Sequence, residues 1–140
     1  MSSAEPQPSN AQILLVDDEE QFLQTLSRRL KERGLSVDAV TSGDDAVKTI
    51  KSRNFDAIIL DLVMPGTGGI ETLRRIRKEN PDIQVIILTG YPSKEKISEA
   101  MSEGALEFLE KPADIDMLLD KIAEARDKKT LWLLWRNLRT

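Results

Sequence analysis

The chain has 140 residues with no cysteine and no histidine, which excludes disulfide frameworks, thiolate or imidazole metal sites, histidine acid–base chemistry and a histidine phosphodonor. Its net charge of −4 lacks the basic footprint of a nucleic-acid binder, so direct nucleic-acid binding is not expected. The charge is uneven: residues 126–140 carry Arg126, Lys128, Lys129, Arg136 and Arg139 against Asp127 alone.

Residues 1–10 are polar, contain Pro6 and Pro8, and read as a disordered tail with no signal-peptide core. Ile13-Leu14-Leu15-Val16 has the pattern of a strand buried on both faces. Residues 20–33 follow with Phe22, Leu23, Leu26 and Leu30 at helical spacing, and Gly34 is placed to end that helix as its C′ residue. Residues 35–40 alternate as a strand, 43–53 are helical, and Ala57-Ile58-Ile59-Leu60 is a third strand. A helix over 70–78 ends at Asn80-Pro81. Residues 85–88 form a fourth strand, 93–102 a fourth helix and 106–109 a short fifth strand. Residues 114–126 close the series as a fifth helix, with Ile115, Leu118, Leu119 and Ile122 on one face. No apolar run reaches the roughly 20 residues that span a bilayer, and a cytoplasmic location is the expectation.

This order is one α/β domain over residues 11–127. Strands apolar on both faces, each followed by a helix, imply a parallel sheet covered on both sides. Right-handed crossovers make it a doubly wound (βα)₅ fold. Ligands in such folds bind outside the carboxyl ends of the strands. There the sequence places Asp17 and Asp18 after the first strand, Asp61 after the third, Thr89 after the fourth, and Lys111-Pro112 after the fifth.

Each of these has an ordinary reading when taken singly. Asp17 or Asp18 could cap the first helix, Thr89 could be a turn residue, Lys111 a solvated surface lysine, and Asp61 a turn residue. Their convergence on one sheet edge favours a shared chemistry. Crowded carboxylates repel unless a cation joins them, and Mg²⁺ is a hard ion that accepts a few carboxylates and keeps its waters. A carboxylate can also attack phosphorus to give an aspartyl phosphate, if positive charge meets the phosphoryl oxygens.

The runs Ile13-Leu14-Leu15-Val16-Asp17-Asp18-Glu19, Asp61-Leu62-Val63-Met64-Pro65-Gly66, Leu88-Thr89-Gly90 and Glu110-Lys111-Pro112 resemble the receiver domains of two-component response regulators. The resemblance implies the flavodoxin-like, CheY-like sheet with strand order 2-1-3-4-5. It implies that Asp61 is phosphorylated by a sensor histidine kinase or a His-containing phosphotransfer protein. Mg²⁺, with Mn²⁺ as a substitute, would be held by Asp18, Asp61 and the backbone carbonyl of Val63, with Asp17 acting directly or through water. Lys111 would pair with the phosphoryl group, Thr89 would be the switch hydroxyl beside the Gly90 amide, and Phe108 would be the aromatic switch. Pro112 would shape the Lys111 turn through a cis bond, and Gly69 matches the glycine before the third helix. The changing surface would be the fourth helix, fifth strand and fifth helix. The resemblance further implies a signalling domain that assists its own phosphorylation rather than an enzyme.

Three features depart from the family pattern. Gly90 replaces the usual alanine and loosens its loop. Gly68 stands where an aspartate cap is common. The positions that tune phosphoryl lifetime are the apolar Val63 and the bulky Tyr91.

A phosphohydrolase of the haloacid dehalogenase type would carry Asp-x-Asp after its first strand, where this chain has Asp17-Asp18-Glu19. A flavodoxin-like flavin carrier would need a Ser/Thr/Gly-rich phosphate loop there, where Asp17, Asp18, Glu19 and Glu20 repel an anion. A receiver fragment of a longer regulator is the alternative within the family. Residues 128–140 form a basic, Trp- and Leu-rich extension or linker, with Leu131, Leu134, Trp135 and Leu138 as a helical stripe. If the fifth helix continues, at about 100° per residue the stripe points about 150° off its core face and offers a surface for self-association or a partner. A bend near Lys128 would fold it back instead, and a membrane-surface role is a third reading.

Overall fold

The strands are short and rich in aliphatic and β-branched residues, which suit a pleated surface packed on both sides. In the computed structural model, which describes residues 10–64, 66 and 68–139, they alternate with helices. The order is β1 (Gln12–Val16), α1 (Glu20–Glu32), β2 (Ser36–Val40), α2 (Gly43–Ser52), β3 (Ala57–Leu60), α3 (Gly69–Glu79), β4 (Gln84–Thr89), α4 (Lys94–Ser102), β5 (Glu107–Glu110) and α5 (Ile115–Leu138). All strand pairs are parallel, in the expected order β2-β1-β3-β4-β5. The expected tail over residues 1–10 lies outside the described residues except for Asn10, as does Pro65 in the loop after β3.

Side chains alternate across the sheet with period two, which makes two cores. Ile13, Leu15, Ala57, Ile59, Ile86 and Leu88 face α1 and α5. Leu14, Val16, Ile58, Leu60, Val85 and Ile87 face α2, α3 and α4. The α4 helix buries only Ala100. Ion pairs from Arg74 of α3, 2.9 Å to Glu99 and 3.0 Å to Glu103, add a polar tether. An element with so little buried apolar surface belongs to the easily displaced part of a fold.

The helix ends follow local chemistry. Ser42, Ser93 and Asp114 cap α2, α4 and α5 by accepting the N–H of Asp45, Lys96 and Met117. Gly34, at φ 92°, ends α1: its N–H donates to the Lys31 carbonyl and that of Leu35 to the Leu30 carbonyl. That is the left-handed closure expected of a C′ glycine. Gly68, at φ 81°, starts α3 without a side-chain cap, as its replacement of aspartate implied.

Of the two alternatives for the extension, the α5 helix takes the continuous one: it passes Arg126 and runs unbroken to Leu138. The extension is tied to the loops that enter β3 and β4. Lys129 donates to the Phe55 carbonyl at 2.9 Å and lies 3.7 Å from Asp56. The Trp132 indole N–H donates to Asp82, and Arg136 lies 3.3 Å from the same carboxylate. The stripe points off the core, with Leu131 65%, Leu134 55%, Trp135 48% and Leu138 87% exposed. Among the described residues, no helix is long and apolar enough to cross a membrane.

Candidate functional site

β1 and β3 are adjacent in the middle of the sheet, with Val16 beside Leu60, so their next residues emerge together. Asp17 and Asp61 both sit buried at that edge. Their backbone is held by N–H donation from Asp17 to the Val40 carbonyl (3.2 Å) and from Asp61 to the Val16 carbonyl (3.0 Å). β5 delivers Lys111 to the same edge, where its N–H donates to the Thr89 carbonyl at 2.9 Å. The Lys111 ammonium lies 2.7 Å from Asp17, 2.6 Å from Glu19 and 3.4 Å from Asp61, and its side chain is only 12% exposed. The solvated-lysine reading therefore fails.

Neither Asp17 nor Asp18 caps α1, whose N-cap is Glu19, without a side-chain bond. Instead Asp17 Oδ1 accepts the Glu19 N–H at 2.9 Å. This local turn aims side chains 17 and 19 at Lys111, and Asp18 between them is exposed. The carboxylate oxygens that lie within 4.8 Å of one another are therefore those of Asp17, Glu19 and Asp61, where Asp18 was expected. Glu19 received no role in the sequence reading, although it stands in the same acidic run. Three acidic oxygens this close suit a hard, oxygen-seeking cation.

Charge is balanced unevenly. Burial pushes the Asp17 carboxyl above its usual value, against the opposing pull of its bonds from Lys111 and the Glu19 N–H. Burial also works against the Lys111 charge, but hydrogen bonds to Asp17 and Glu19 and the fields of Asp17 and Asp61 outweigh it and raise its pKa. The ammonium stays charged, and Asp17 carries the strain of desolvation.

The loop after β3 wraps around Asp61. The Val63 N–H donates to Asp61 Oδ1 at 3.1 Å, leaving Oδ2 toward Lys111. Gly69 lets α3 start against this loop, because a Cβ there would lie 2.3 Å from Leu62 Cα and 2.7 Å from the Asp61 carbonyl oxygen. Val63 and Tyr91, in the loops after β3 and β4, are 39% and 76% exposed.

Thr89 is buried, and its Oγ1 accepts the Tyr91 N–H at 3.3 Å, so in this state it makes the ordinary turn bond. It shares a sheet face with Ile87, whose partner on β5 is Phe108. Phe108 packs, partly buried, against the core on the α4 side. Thr89 and Phe108 are thus diagonal neighbours on the α4-facing side. At Gly90 a Cβ would meet Lys111 Cδ at an ordinary 3.6 Å. Pro112 is exposed and follows Lys111 through a cis bond, as the resemblance implied.

The family profile described as the response regulator receiver domain matches residues 13–123. The chain is similar to the C4-dicarboxylate transport transcriptional regulatory protein DctD of Pseudomonas aeruginosa. Identity is 35% over 142 residues, covering 99% of this chain and 30% of that protein. It is also similar to the transcriptional regulatory protein ZraR of Escherichia coli O157:H7, 38% identical over 116 residues, which cover 83% of this chain and 26% of that one. Among solved structures, a response regulator receiver domain protein from Clostridium thermocellum superposes with a TM-score of 0.81 at 35% identity, covering 87% of this chain and 98% of that one. The chain spans less than a third of the length of DctD and ZraR.

Proposed function

The chain belongs to the response regulator receiver domain family, and from that premise we propose that Asp61 accepts a phosphoryl group and thereby switches a protein-interaction surface. The observation that carries this reading is the buried Asp61 carboxylate, 3.4 Å from the Lys111 ammonium that Asp17 and Glu19 also hold. The donor is a phosphohistidine on a sensor histidine kinase or a His-containing phosphotransfer protein. An Asp61 carboxylate oxygen forms the new O–P bond while the donor P–N bond breaks, and the imidazole leaves with the electron pair and takes up a proton. Lys111 meets the charge on the transferred oxygens, and Thr89 gives up its bond with the Tyr91 N–H to donate to them, beside the Gly90 amide.

Bound Mg²⁺, or Mn²⁺ in its place, would neutralise further charge on the phosphoryl group. Asp17, Asp61 and the Val63 carbonyl would hold it with one more carboxylate. We assign that role to Asp18 on the motif it shares with the family.

Movement of Thr89 opens space on the face it shares with Phe108, and Phe108 follows it. The lightly anchored α4, with β5 and α5, then takes a second arrangement. That face, or the exposed α5 stripe, serves a partner or a second copy of the chain. The location is cytoplasmic, where such donors reside. Because DctD and ZraR are named as transcriptional regulators, we propose transcriptional control as the output. Incubation with acetyl phosphate and Mg²⁺, followed by intact-mass measurement, tests the acceptor. One phosphoryl group is expected on the unsubstituted protein and none on Asp61→Asn, and equal labelling of both would refute the assignment.

A further inference from the structure

We infer that Phe22 is a positioning residue for Lys111: its ring face holds the ammonium at the place from which it meets the phosphoryl group on Asp61. The inference rests on the phosphoryl-acceptor reading above. Its basis is that Lys111 Nζ lies 4.2 Å from the Phe22 ring centroid, well inside the roughly 6 Å reach of an attraction between a cation and an aromatic face.

The other contacts of the ammonium do not fix it by themselves. A lysine head is a compact charge on a flexible four-carbon stem with three rotatable donors. Three carboxylates surround it at 2.6–3.4 Å. The shortest contact is to Glu19, whose side chain is 62% exposed and free to follow the ammonium outward. Asp17 and Asp61 are rigid, but both lie on the strand-end side of the charge.

Phe22 supplies a fixed wall. It sits on the first turn of α1 and packs, partly buried, against the core shared by α1 and α5. With Asp17 and Asp61 it also lines a cavity of about 10 Å³, room for a single water at most. The ring therefore stands as a fixed face against the cation. A phenylalanine present only to fill the core would not need its face against the buried cation of the site.

Site-directed incorporation of 4-fluoro-, 3,5-difluoro- and 3,4,5-trifluorophenylalanine at position 22 tests this in the full chain. Fluorine weakens the negative ring face stepwise and leaves ring shape nearly unchanged. Two quantities are read: the rate of Asp61 phosphorylation at saturating acetyl phosphate and Mg²⁺, and the ring-current shift of the Lys111 ε-methylene protons by NMR. The expected result is a stepwise fall in rate, about fivefold in total at the trifluoro ring, with an unchanged half-saturating Mg²⁺ concentration. Phe22→Tyr keeps the rate within about twofold because the ring face remains. Phe22→Leu loses both the rate, by about tenfold, and the upfield Lys111 shift. A rate that stays flat or rises across the fluorinated series overturns the inference, as does a Lys111 shift that is the same with leucine as with phenylalanine. Unsubstituted protein that takes no label at Asp61 would overturn the receiver reading and the inference with it. A labelled protein with a flat series overturns the inference alone.

Discussion

Replacing Gly69 by alanine would place a methyl carbon 2.3 Å from Leu62 Cα and 2.7 Å from the carbonyl oxygens of Asp61 and Leu62. Carbon contacts are comfortable only at about 3.5–4 Å, so the backbone on either side of Asp61 must retreat by roughly 1 Å. Helix propensity alone predicts the opposite sign, since alanine is favoured over glycine by about 1 kcal/mol in a helix. Overpacking against immobile backbone costs about 1–3 kcal/mol, and the upper end applies because no flexible side chain can yield. The net expectation is a loss of about 2 kcal/mol, or about 8 °C in melting temperature for a domain of this size. Displacing the nucleophile by that distance should slow phosphorylation by about 10²-fold. Gly90 is the internal control. Its backbone lies outside the left-handed region, and a Cβ would meet Lys111 Cδ at 3.6 Å. Gly90→Ala should therefore stabilise by about 0.4–1 kcal/mol through the unfolded chain and keep its phosphorylation. Both substitutions change the unfolded state alike, so the gap of about 3 kcal/mol between them reports the native contact. Urea denaturation with acetyl phosphate labelling measures both quantities. Equal midpoints and equal labelling rates for the two variants would refute the reasoning.

Mg²⁺ should stabilise the unphosphorylated protein by about 1.4 kcal/mol at ten times its dissociation constant; thermal melts should show the response lost in Asp17→Asn and Asp18→Ala and kept in Glu19→Ala. Asp17 binds its proton more tightly in the folded chain than in the unfolded one, so its contribution is present below the ordinary value near 3.8 and is lost as pH rises through the folded value. Asp17→Asn should accordingly be more stable at pH 7, and the gain should vanish in urea melts below about pH 4. The exposed α5 stripe should drive association, so Leu131→Asn with Leu138→Asn should sediment as smaller species while sparing the Trp132 and Arg136 contacts to Asp82. We propose that Val63 and Tyr91 leave the hydrolytic water unpositioned, so the phosphorylated state is long-lived; Val63→Asn with Tyr91→Glu should accelerate loss of labelled phosphate at least about tenfold, and decay within seconds in the unsubstituted protein would contradict this.

Local patterns in the chain were enough to determine the alternation of strands and helices, the parallel sheet, and the strand ends that carry Asp17, Asp61, Thr89 and Lys111. Those features depend on run length, periodicity and terminal residues such as Gly34, which act within a few positions of one another. The family motifs likewise marked Gly69, but the reason for a glycine there emerged only from the 2.3 Å approach of the Leu62 backbone. Tertiary structure alone decided which acid faces Lys111. Asp18 and Glu19 are adjacent carboxylates of the same charge, and the turn bond from the Glu19 N–H to Asp17 favours Glu19. The meeting of Phe22 with Lys111 joins α1 to the end of β5, and the anchoring of Trp132 by Asp82 joins the end of α5 to the loop entering β4. The polar run Asp127-Lys128-Lys129 interrupts the apolar pattern of α5, so the sequence left open whether the helix continues past Arg126 or bends near Lys128. The helix continues because Lys129 finds the Phe55 carbonyl and Trp132 finds Asp82 across the fold, partners that no local period can supply.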